Sequence, residues 1–238
     1  MKLAFLSDIH GNAIALDAVL QDIKSKNVDK IYVLGDICYR GPEPKRSLEL
    51  VQSLNCDVIK GNADEWVVRG VQEGEVPGQA LEMMNRERDW IYSQMDGEAV
   101  AYLEQLPTDL TIEAEGMKIH AFHATPNSLF EVVPPFENDD VITNKLIVNE
   151  ADLYIYAHIH KPFIRYINGK CVINIGSVGL PFDGVKKSSY GLIEIKDNGF
   201  QASIVRVPFD TDKVLRQYED YNYPNAKAMI NILQNAKI

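Results

Sequence analysis

Five short apolar runs in this chain are each followed, within three residues, by an Asp, Asn or His residue. The runs span residues 2–6, 30–34, 57–59, 117–122 and 153–157, and their composition predicts buried strands. The polar motifs that follow them are Asp8-Ile9-His10, Gly35-Asp36, Gly61-Asn62, His123 and His158-Ile159-His160. Because open α/β sheets place their sites beyond the carboxyl ends of the strands, the pattern predicts one site at one sheet edge.

The side chains in these motifs are of the types that bind transition metals. Asp, Asn and His together form a mixed oxygen and nitrogen ligand set, which suits Mn²⁺, Fe or Zn²⁺ better than soft metals. Four of the five histidines fall in these motifs. Strand side chains alternate, so the spacings Asp8-x-His10 and His158-x-His160 predict that each pair shares one face of an extended segment. By the same rule His120 faces away from His123 and is left out of the site.

Composition narrows the class of protein. The 238 residues are 46% hydrophobic, which is enough for a full core, and we predict a single domain over residues 1–238. A net charge of −10 argues against nonspecific binding to a nucleic-acid duplex. A small anionic substrate stays possible, because bound divalent metals can reverse the local field.

The sequence also carries signals of compartment. Its three cysteines form no CxxC pair, which predicts reduced thiols in a cytosolic protein. The apolar run at the start is too short for a signal peptide, and no run approaches the ~20 residues of a membrane span. We therefore expect a cytoplasmic protein with no membrane partner, and no oligomeric state is predicted.

Strands and helices alternate in the first half of the chain and strands dominate the second. Helices are predicted at 12–25, 44–53, 80–95 and 225–234. Hairpins are predicted for 108–114 with 117–122, for 164–167 with 171–175 around Asn168-Gly169, and for 190–195 with 200–207 around Asp197-Asn198-Gly199. The mostly helical stretch 64–105 is either a packing layer on the sheet or a cap over the site, and both can hold.

The order of the motifs resembles the calcineurin-like metallophosphoesterase superfamily. The resemblance rests on Asp8-x-His10, Gly35-Asp36 with Arg40-Gly41, Gly61-Asn62-x-Asp64, His123 and His158-x-His160. Residues 174–184 further resemble the Gly-Ser-Val-Gly-x-Pro element of a bacterial and archaeal branch that includes phosphodiesterases and diadenosine tetraphosphate hydrolases.

The resemblance implies a fold and a cofactor. The fold would be an α/β sandwich of two mixed β-sheets flanked by helices, with a helical cap segment near 64–105. The cofactor would be two divalent metal ions, Mn²⁺, Fe or Zn²⁺, bridged by Asp36 and a hydroxide. One metal would take Asp8, His10, Asp36 and His160, and the other would take Asp36, Asn62, His123 and His158.

The resemblance also implies an enzyme, a metal-dependent hydrolase of phosphoric esters or anhydrides. Its substrates would be small phosphodiesters or phosphoanhydrides, including nucleotides such as diadenosine polyphosphates, attacked by the bridging hydroxide. Asp36, Asn62 and Arg40 would be catalytic, with the planar guanidinium of Arg40 clamping phosphate. A surface salt bridge is the other interpretation of Arg40. Alternative functions are a phosphomonoesterase, including a phosphoprotein phosphatase, and a noncatalytic metal-binding scaffold.

Four positions, in three places along the chain, depart from the family pattern. Ala63 stands where many members have His or Cys, so it supplies no proton donor. Tyr39 replaces a commonly acidic residue, and Leu180 and Phe182 replace polar or basic ones. Backbone N–H groups of the Gly-rich stretch 176–184 could instead bind phosphate, if the stretch is not a plain connection. Lys186-Lys187 near it could meet an anionic substrate or form a solvated charge pair.

Overall fold

Two five-stranded mixed sheets pack face to face with helices on their outer sides, in a computed structural model that describes residues 1–197 and 199–238. The first half contains β1 (Lys2–Leu6), α1 (Ala13–Ser25), β2 (Lys30–Val33), α2 (Pro44–Ser53), β3 (Asp57–Val58), α3 (Asn62–Arg69), α4 (Gly78–Ser93) and α5 (Gly97–Gln105). The second half contains β4 (Asp109–Ala114), β5 (Met117–Phe122), α6 (Asp139–Leu146), β6 (Leu153–Tyr156), β7 (Phe163–Ile167), β8 (Lys170–Asn174), β9 (Ser188–Lys196), β10 (Gly199–Val207), α7 (Thr211–Asp220) and α8 (Ala226–Asn235). The predicted α/β sandwich is confirmed.

The strand order gives each sheet a parallel centre. The first sheet has the order β10-β9-β1-β2-β3, in which β1, β2 and β3 run parallel. The second has the order β4-β5-β6-β8-β7, in which β5, β6 and β8 run parallel. The carboxyl ends of parallel neighbours meet at one sheet edge, so the loops that leave these ends are brought together.

Side-chain alternation along the strands separates two hydrophobic layers. In β1, Leu3 and Phe5 are buried in the cluster between the sheets, and Ala4 and Leu6 are buried in the cluster under the helices. The second sheet contributes further side chains to the layer between the sheets, among them Ile119, Ile155 and Ile173. Both faces of the central strands are therefore shielded from water, which explains why the sequences of these strands are continuous apolar runs.

The segment 64–105 forms three helices that pack on the first sheet. Met84, Ile91 and Leu103 are buried in the same cluster as the outer face of this sheet. The packing interpretation thus describes most of the segment. The segment also reaches the edge of the first sheet at which the parallel strands end. There α3 begins at Asn62, and the carboxylate of Glu87 in α4 lies 3.9 Å from Arg40 Nε.

Some predicted elements differ from the observed ones. α6 and α7 were not predicted, and the mostly helical stretch predicted for 64–105 begins at Asn62. Asn168-Gly169 joins β7 to β8 as predicted. The predicted Asp197-Asn198-Gly199 turn includes Asn198, which lies outside the described residues, and the strands beside it pair with Lys196 opposite Gly199. Within the described ranges, the helices are all too short or too polar to span a bilayer.

Candidate metal centre

The polar motifs converge where the two sheets meet, just beyond the carboxyl ends of five strands. Backbone hydrogen bonds extend the β1–β2 pairing into the loops, since Asp8 N–H donates to Gly35 at 3.1 Å and His10 N–H donates to Asp36 at 2.9 Å. In the second sheet the pairing of β5 with β6 extends into the loops in the same way, because Ala157 N–H donates to the carbonyl of His123 at 2.9 Å. Six of the seven predicted ligands lie in the loops that follow these strands, and Asn62 is the first residue of α3: Asp8, His10, Asp36, Asn62, His123, His158 and His160.

Five of the seven predicted ligands have left-handed backbone conformations, with φ between +50° and +66°: Asp8, His10, Asp36, His158 and His160. Each such residue costs on the order of 1–2 kcal/mol relative to a right-handed one. Strain of this kind persists where the surroundings fix it, and it clusters at functional sites. The expectation that each Asp-x-His or His-x-His pair lies on an extended segment is wrong. Tight turns bring the paired side chains together instead.

Two loops of the first sheet touch because glycine occupies the contact. A Cβ atom on Gly61 would lie 2.1 Å from Asp36 Oδ1. Asp64 holds the same loops together, because its carboxylate accepts hydrogen bonds from the N–H groups of Asp36, Ile37 and Gly61 at 2.7, 2.9 and 2.9 Å. The position of Asp36 is therefore fixed by the backbone of its own loop and by the start of α3.

Asp64 itself is fully buried. Burial, together with repulsion from Asp36, raises the pKa of Asp64 to about 7, and the three N–H donors act in the opposite direction. Both carboxylate oxygens are engaged by backbone groups, so Asp64 has a structural role. It does not replace the proton donor that is missing at Ala63.

The first ligand cluster consists of Asp8, His10 and His160. His10 Nδ1 lies 2.8 Å from the Tyr39 carbonyl, and His160 Nδ1 contacts the Leu180 carbonyl. A carbonyl can only accept, so both Nδ1 atoms carry the proton and both Nε2 atoms carry lone pairs. These two Nε2 atoms face each other at 3.1 Å, and Asp8 Oδ1 lies 3.2 Å from His160 Nε2. Three lone-pair donors around one point, without a proton among them, fit a cation.

The second cluster contains Asp8, Asp36 and His123. His123 Nδ1 donates to the Leu34 carbonyl at 2.7 Å, and its Nε2 atom lies 3.4 Å from Asp36 Oδ2. Asn62 Oδ1 lies 3.0 Å from the same Nε2 atom. In the neutral form of His123 this nitrogen has a lone pair that faces two oxygen acceptors, an arrangement that a bound cation would satisfy.

Asn62 also joins His158 to this second cluster. Its Oδ1 atom lies 2.8 Å from His158 Nδ1. The other ring nitrogen, His158 Nε2, and the Asp8 Oδ1 atom are buried without any hydrogen-bond partner among the described residues. Unpartnered buried polar atoms are rare in native proteins and require an explanation. Metal ligation at both atoms supplies one, so the residues present fit a metal pair.

His10, His158 and Asp36 have the protonation states that metal binding requires, whereas His123 must release a proton to bind a cation. Burial and the neighbouring imidazoles lower the pKa of His10 and of His158 to about 4 each. Burial alone would raise the pKa of Asp36, yet the surrounding histidines, His123 foremost, hold it below its ordinary value. Burial lowers the pKa of His123, but Asp36 outweighs it and raises the pKa to about 9. Neutral imidazoles and ionised carboxylates are the ligating forms.

Arg40 lies beside a buried carboxylate rather than in a surface salt bridge. Its Nε atom is 3.9 Å from Oε2 of Glu87, and neither atom forms a hydrogen bond within the described parts of the chain. Tyr223 donates to the other Glu87 oxygen at 3.1 Å, and Tyr218 donates to the Arg40 carbonyl at 2.6 Å. Sequence reasoning missed these three residues, and the one available signal was an acidic residue within the predicted helix 80–95.

The Gly-rich stretch supports the ligand turns, and the N–H groups of residues 178–180 are engaged within the protein. Val178 N–H and Gly179 N–H donate to the carbonyls of Ser7 and Asp8 at 3.0 and 2.9 Å. Ser177 Oγ donates to the Asp8 carbonyl at 2.8 Å and accepts from the N–H of residue 180. A Cβ atom on Gly179 would lie 1.8 Å from a backbone oxygen of the first turn. For residues 178–180, the hypothesis that these N–H groups bind phosphate is therefore wrong.

Two further residues, His120 and Ala63, lie outside the two ligand clusters. His120 Nε2 lies 2.8 Å from Asp109 Oδ2 on β4, within the second sheet and outside both ligand clusters. Ala63 is 1% exposed and belongs to the hydrophobic cluster under the helices. Its N–H donates to Asp36 Oδ1 at 2.8 Å. The backbone at this position therefore helps to hold Asp36, while the methyl group packs in the core.

Comparisons with known proteins agree with this geometry. A family model described as the calcineurin-like phosphoesterase superfamily domain matches residues 1–198. The chain is 34% identical over 232 residues to an uncharacterised protein of Methanocaldococcus jannaschii, with 89% of each chain covered. It is 23% identical over 197 residues to the Escherichia coli phosphodiesterase YfcE, covering 82% of this chain and 88% of that protein.

Solved structures show the same architecture. A metallophosphoesterase from Sphaerobacter thermophilus superposes with a TM-score of 0.79 at 25% identity, covering 99% of both chains. A hypothetical protein from Pyrococcus horikoshii superposes with a TM-score of 0.85 at 21% identity, covering 100% of this chain and 99% of that one.

Proposed function

Because the chain belongs to the calcineurin-like phosphoesterase superfamily, a family of metal-dependent phosphoester hydrolases, we propose that it hydrolyses small phosphodiesters or phosphoanhydrides with two divalent cations. The observation that carries the proposal is the set of buried lone-pair donors that face one another without protons, such as His10 Nε2 and His160 Nε2 at 3.1 Å. The substrates we propose are nucleotides, including diadenosine polyphosphates. The similarity to a phosphodiesterase supports diesters over monoesters.

We assign the ligands in two groups that share one carboxylate. Asp8, His10 and His160 would hold one cation, and Asn62, His123 and His158 would hold the other. Asp36 would contact both, since its Oδ2 atom lies 3.7 Å from His10 Nε2 and 3.4 Å from His123 Nε2. When bound, the two cations supply Lewis acidity, which lowers the pKa of water and offsets phosphoryl charge. The mixed oxygen and nitrogen set supports Mn²⁺, Fe or Zn²⁺.

The residues around the ligands contribute position and charge. The Tyr39, Leu180 and Leu34 carbonyls each hold one histidine ring by its Nδ1 proton, so that Nε2 faces the site. Arg40 would bind the phosphoryl oxygens through its guanidinium fork. Phosphoryl transfer depends mainly on such positioning and electrostatic stabilisation, so few proton-transferring groups are required.

The absence of a proton donor next to Asn62 supports substrates with good leaving groups. Ala63 is buried and Asp64 is engaged by backbone N–H groups. Nucleotide and aryl leaving groups depart as stable anions and need less help from an acid than alkoxides do. The three unpaired thiols, Cys38, Cys56 and Cys171, support the expected reducing, cytoplasmic compartment.

A substrate panel on the metal-reconstituted protein tests the proposal. The panel contains bis(p-nitrophenyl) phosphate, diadenosine tetraphosphate, ATP, cyclic AMP and a phosphopeptide, each measured with the native chain and with Asp36→Asn. We expect turnover of the aryl diester and of at least one nucleotide, and loss of both in the variant. Stoichiometric metal without turnover of any ester would favour a noncatalytic scaffold. Preference for the phosphopeptide would favour a phosphoprotein phosphatase.

A further inference from the structure

A cleft lies beside the candidate metal centre, because Phe182 both lines the cleft and stacks on the candidate ligand His160. The cleft has a volume of about 520 Å³, within the range of small-ligand sites, and is lined by Lys161, Phe182, Asp183, Lys237 and Ile238. Phe182 stacks on the ring of the candidate ligand His160, with ring centroids 4.1 Å apart and planes 8° from parallel. Phe182 is only half-buried, so the part of its ring that His160 does not cover faces the cleft.

Two of the three charged side chains that line the cleft are lysines, although the protein has a net charge of −10. Lys161 and Lys237 are both exposed, and Lys161 directly follows the ligand His160. The one acidic lining residue, Asp183, is paired with Arg206 from β10, so its charge is offset. Two lysines beside an aromatic ring form a local surface for a ligand that combines negative charge with a planar group.

Backbone contacts hold these residues at the cleft. Phe182 N–H donates to the His160 carbonyl at 3.3 Å, which ties the ring to the ligand turn. Gly184 N–H donates to the Ala236 carbonyl at 2.9 Å, and a Cβ atom on Gly184 would lie 3.4 Å from Lys237 Cε. The segment that carries Phe182 and the segment that carries Lys237 are therefore joined by a backbone hydrogen bond.

We propose that this cleft binds the base and the additional phosphate charge of a nucleotide ester whose scissile phosphate lies at the metal centre. The inference rests on the proposed function and adds a subsite to it. Phe182 would stack with the planar base. Such stacking does not depend on the identity of the base, because every base has a π-face. Lys161 and Lys237 would act as point charges for a second phosphate. A ring that only shielded His160 from water would make no distinction between substrates with and without a base.

Two esters with the same leaving group measure the stacking contribution. Thymidine 5′-(4-nitrophenyl phosphate) and methyl 4-nitrophenyl phosphate differ in the base and sugar but both release 4-nitrophenolate. We expect the native enzyme to have an about tenfold lower KM for the thymidine ester, the scale of one base stacked on one ring. Phe182→Leu should bring the ratio of the two KM values close to one. The control Phe200→Leu, a half-buried ring on β10, should keep the native ratio.

Direct binding gives a readout that does not depend on turnover. Calorimetric titration of the Mn²⁺-loaded protein compares AMP with ribose 5-phosphate, and ADP with AMP. Phe182→Leu should remove the preference for AMP over ribose 5-phosphate. Lys161→Gln combined with Lys237→Gln should remove the preference for ADP over AMP, and Lys196→Gln, which is 85% exposed on β9, should keep it.

The outcomes separate the subsite from the activity. If the enzyme hydrolyses both esters and Phe182→Leu leaves the ratio of their KM values unchanged, the subsite is refuted and the proposed function stands. AMP selectivity that depends on Phe182, in a protein that hydrolyses neither ester, keeps the subsite and refutes the proposed function. If Phe182→Leu loses metal, Phe182→Trp decides: tighter AMP binding supports stacking, and unchanged or weaker AMP binding overturns it.

Discussion

Asp36 is the residue whose replacement we expect to impair the site most. Its carboxylate lies between the two ligand clusters, 3.7 Å from His10 Nε2 and 3.4 Å from His123 Nε2. In Asp36→Asn a neutral amide bridges two cations poorly, so we expect loss of at least one metal and about 10³-fold in kcat. Atomic absorption and steady-state kinetics measure the two effects. Asp109→Asn, which alters the pair with His120, is the control and should retain both. Two bound metals and near-native turnover in Asp36→Asn would show that the bridging assignment is wrong.

Arg40 is the second residue with a specific expected effect. Lys lacks the planar fork of Arg, so Arg40→Lys should lower kcat/KM on the aryl diester by about 10- to 100-fold while metal content stays unchanged. Glu87→Gln removes the charge that lies 3.9 Å from Arg40 Nε and should lower kcat/KM less, chiefly through KM. Arg86→Lys, which changes an exposed pair on the same helix, is the matched control. Native kinetics in Arg40→Lys would leave Arg40 a structural residue.

At the residue scale, the types and order of the candidate ligands could be predicted, but their local geometry could not. Asp8 and His10 were identified because they follow an apolar run, which is a property of the sequence alone. Strand alternation then suggested an extended segment, whereas both residues have left-handed φ values of +53° and +50°. Contacts from residues far along the chain, such as Ser177 Oγ on the Asp8 carbonyl, stabilise this turn. No local pattern reports such contacts.

At the scale of the elements, the start of α3 sets the leaving-group preference. Ala63 is the second residue of this helix and lies where a proton donor would be needed, so we expect that the developing charge on a poor leaving group is not neutralised. We expect aryl esters and phosphoanhydrides to react well and alkyl esters such as phosphoserine slowly. The slope of log k against leaving-group pKa measures this dependence and should be steep. A shallow slope would mean that another group donates the proton.

A donor cannot simply be restored at this position. The Ala63 side chain is 1% exposed and lies in the hydrophobic cluster under the helices. Ala63→His therefore overpacks the core, and we expect a loss of roughly 1–3 kcal/mol in the free energy of unfolding. Chemical denaturation measures that loss, with Ala63→Ser as the smaller control. A histidine that leaves stability unchanged and flattens the slope for alkyl esters would show that the imidazole reaches the leaving group.

Strongly patterned elements could be predicted and weakly patterned ones could not. The β7–β8 hairpin was visible from Asn168-Gly169, which favours one turn type. α7 was missed because only three of its ten residues are apolar, Val214, Leu215 and Tyr218, although these three lie at helical spacing. α3 was predicted to begin too late, because its first turn is stabilised by Asp64 contacts that also involve the Gly35-Asp36 loop.

For the whole molecule, the two-sheet sandwich was implied by the family resemblance, but the order of its strands was not. β9 lies between β10 and β1, so the sheet that opens the chain is completed by strands near its end. β8 lies between β6 and β7 and pairs parallel with one and antiparallel with the other. Such pairings are long-range contacts, and nothing in a short window of sequence reports them.

The candidate ligands come from both sheets, so metal binding should stabilise the whole chain. Asp8, Asp36 and Asn62 follow strands of the first sheet, and His123 and His158 follow strands of the second. A ligand at 100 times its Kd that binds only the folded state adds about 2.7 kcal/mol. For a chain of this size that corresponds to a rise in Tm of roughly 5–10 °C.

Thermal unfolding with and without chelator tests this prediction, together with our proposal that residues 1–238 form one domain. Mn²⁺ should restore both Tm and activity after chelation, and Ca²⁺ should not, because it prefers six to eight oxygen ligands. Tryptophan fluorescence reports the helical side of the first sheet, where Trp66 and Trp90 lie, and circular dichroism reports both sheets. The two signals should change together and shift together with metal. If the fluorescence transition shifts with metal and the dichroism transition does not, the cations do not join the two sheets.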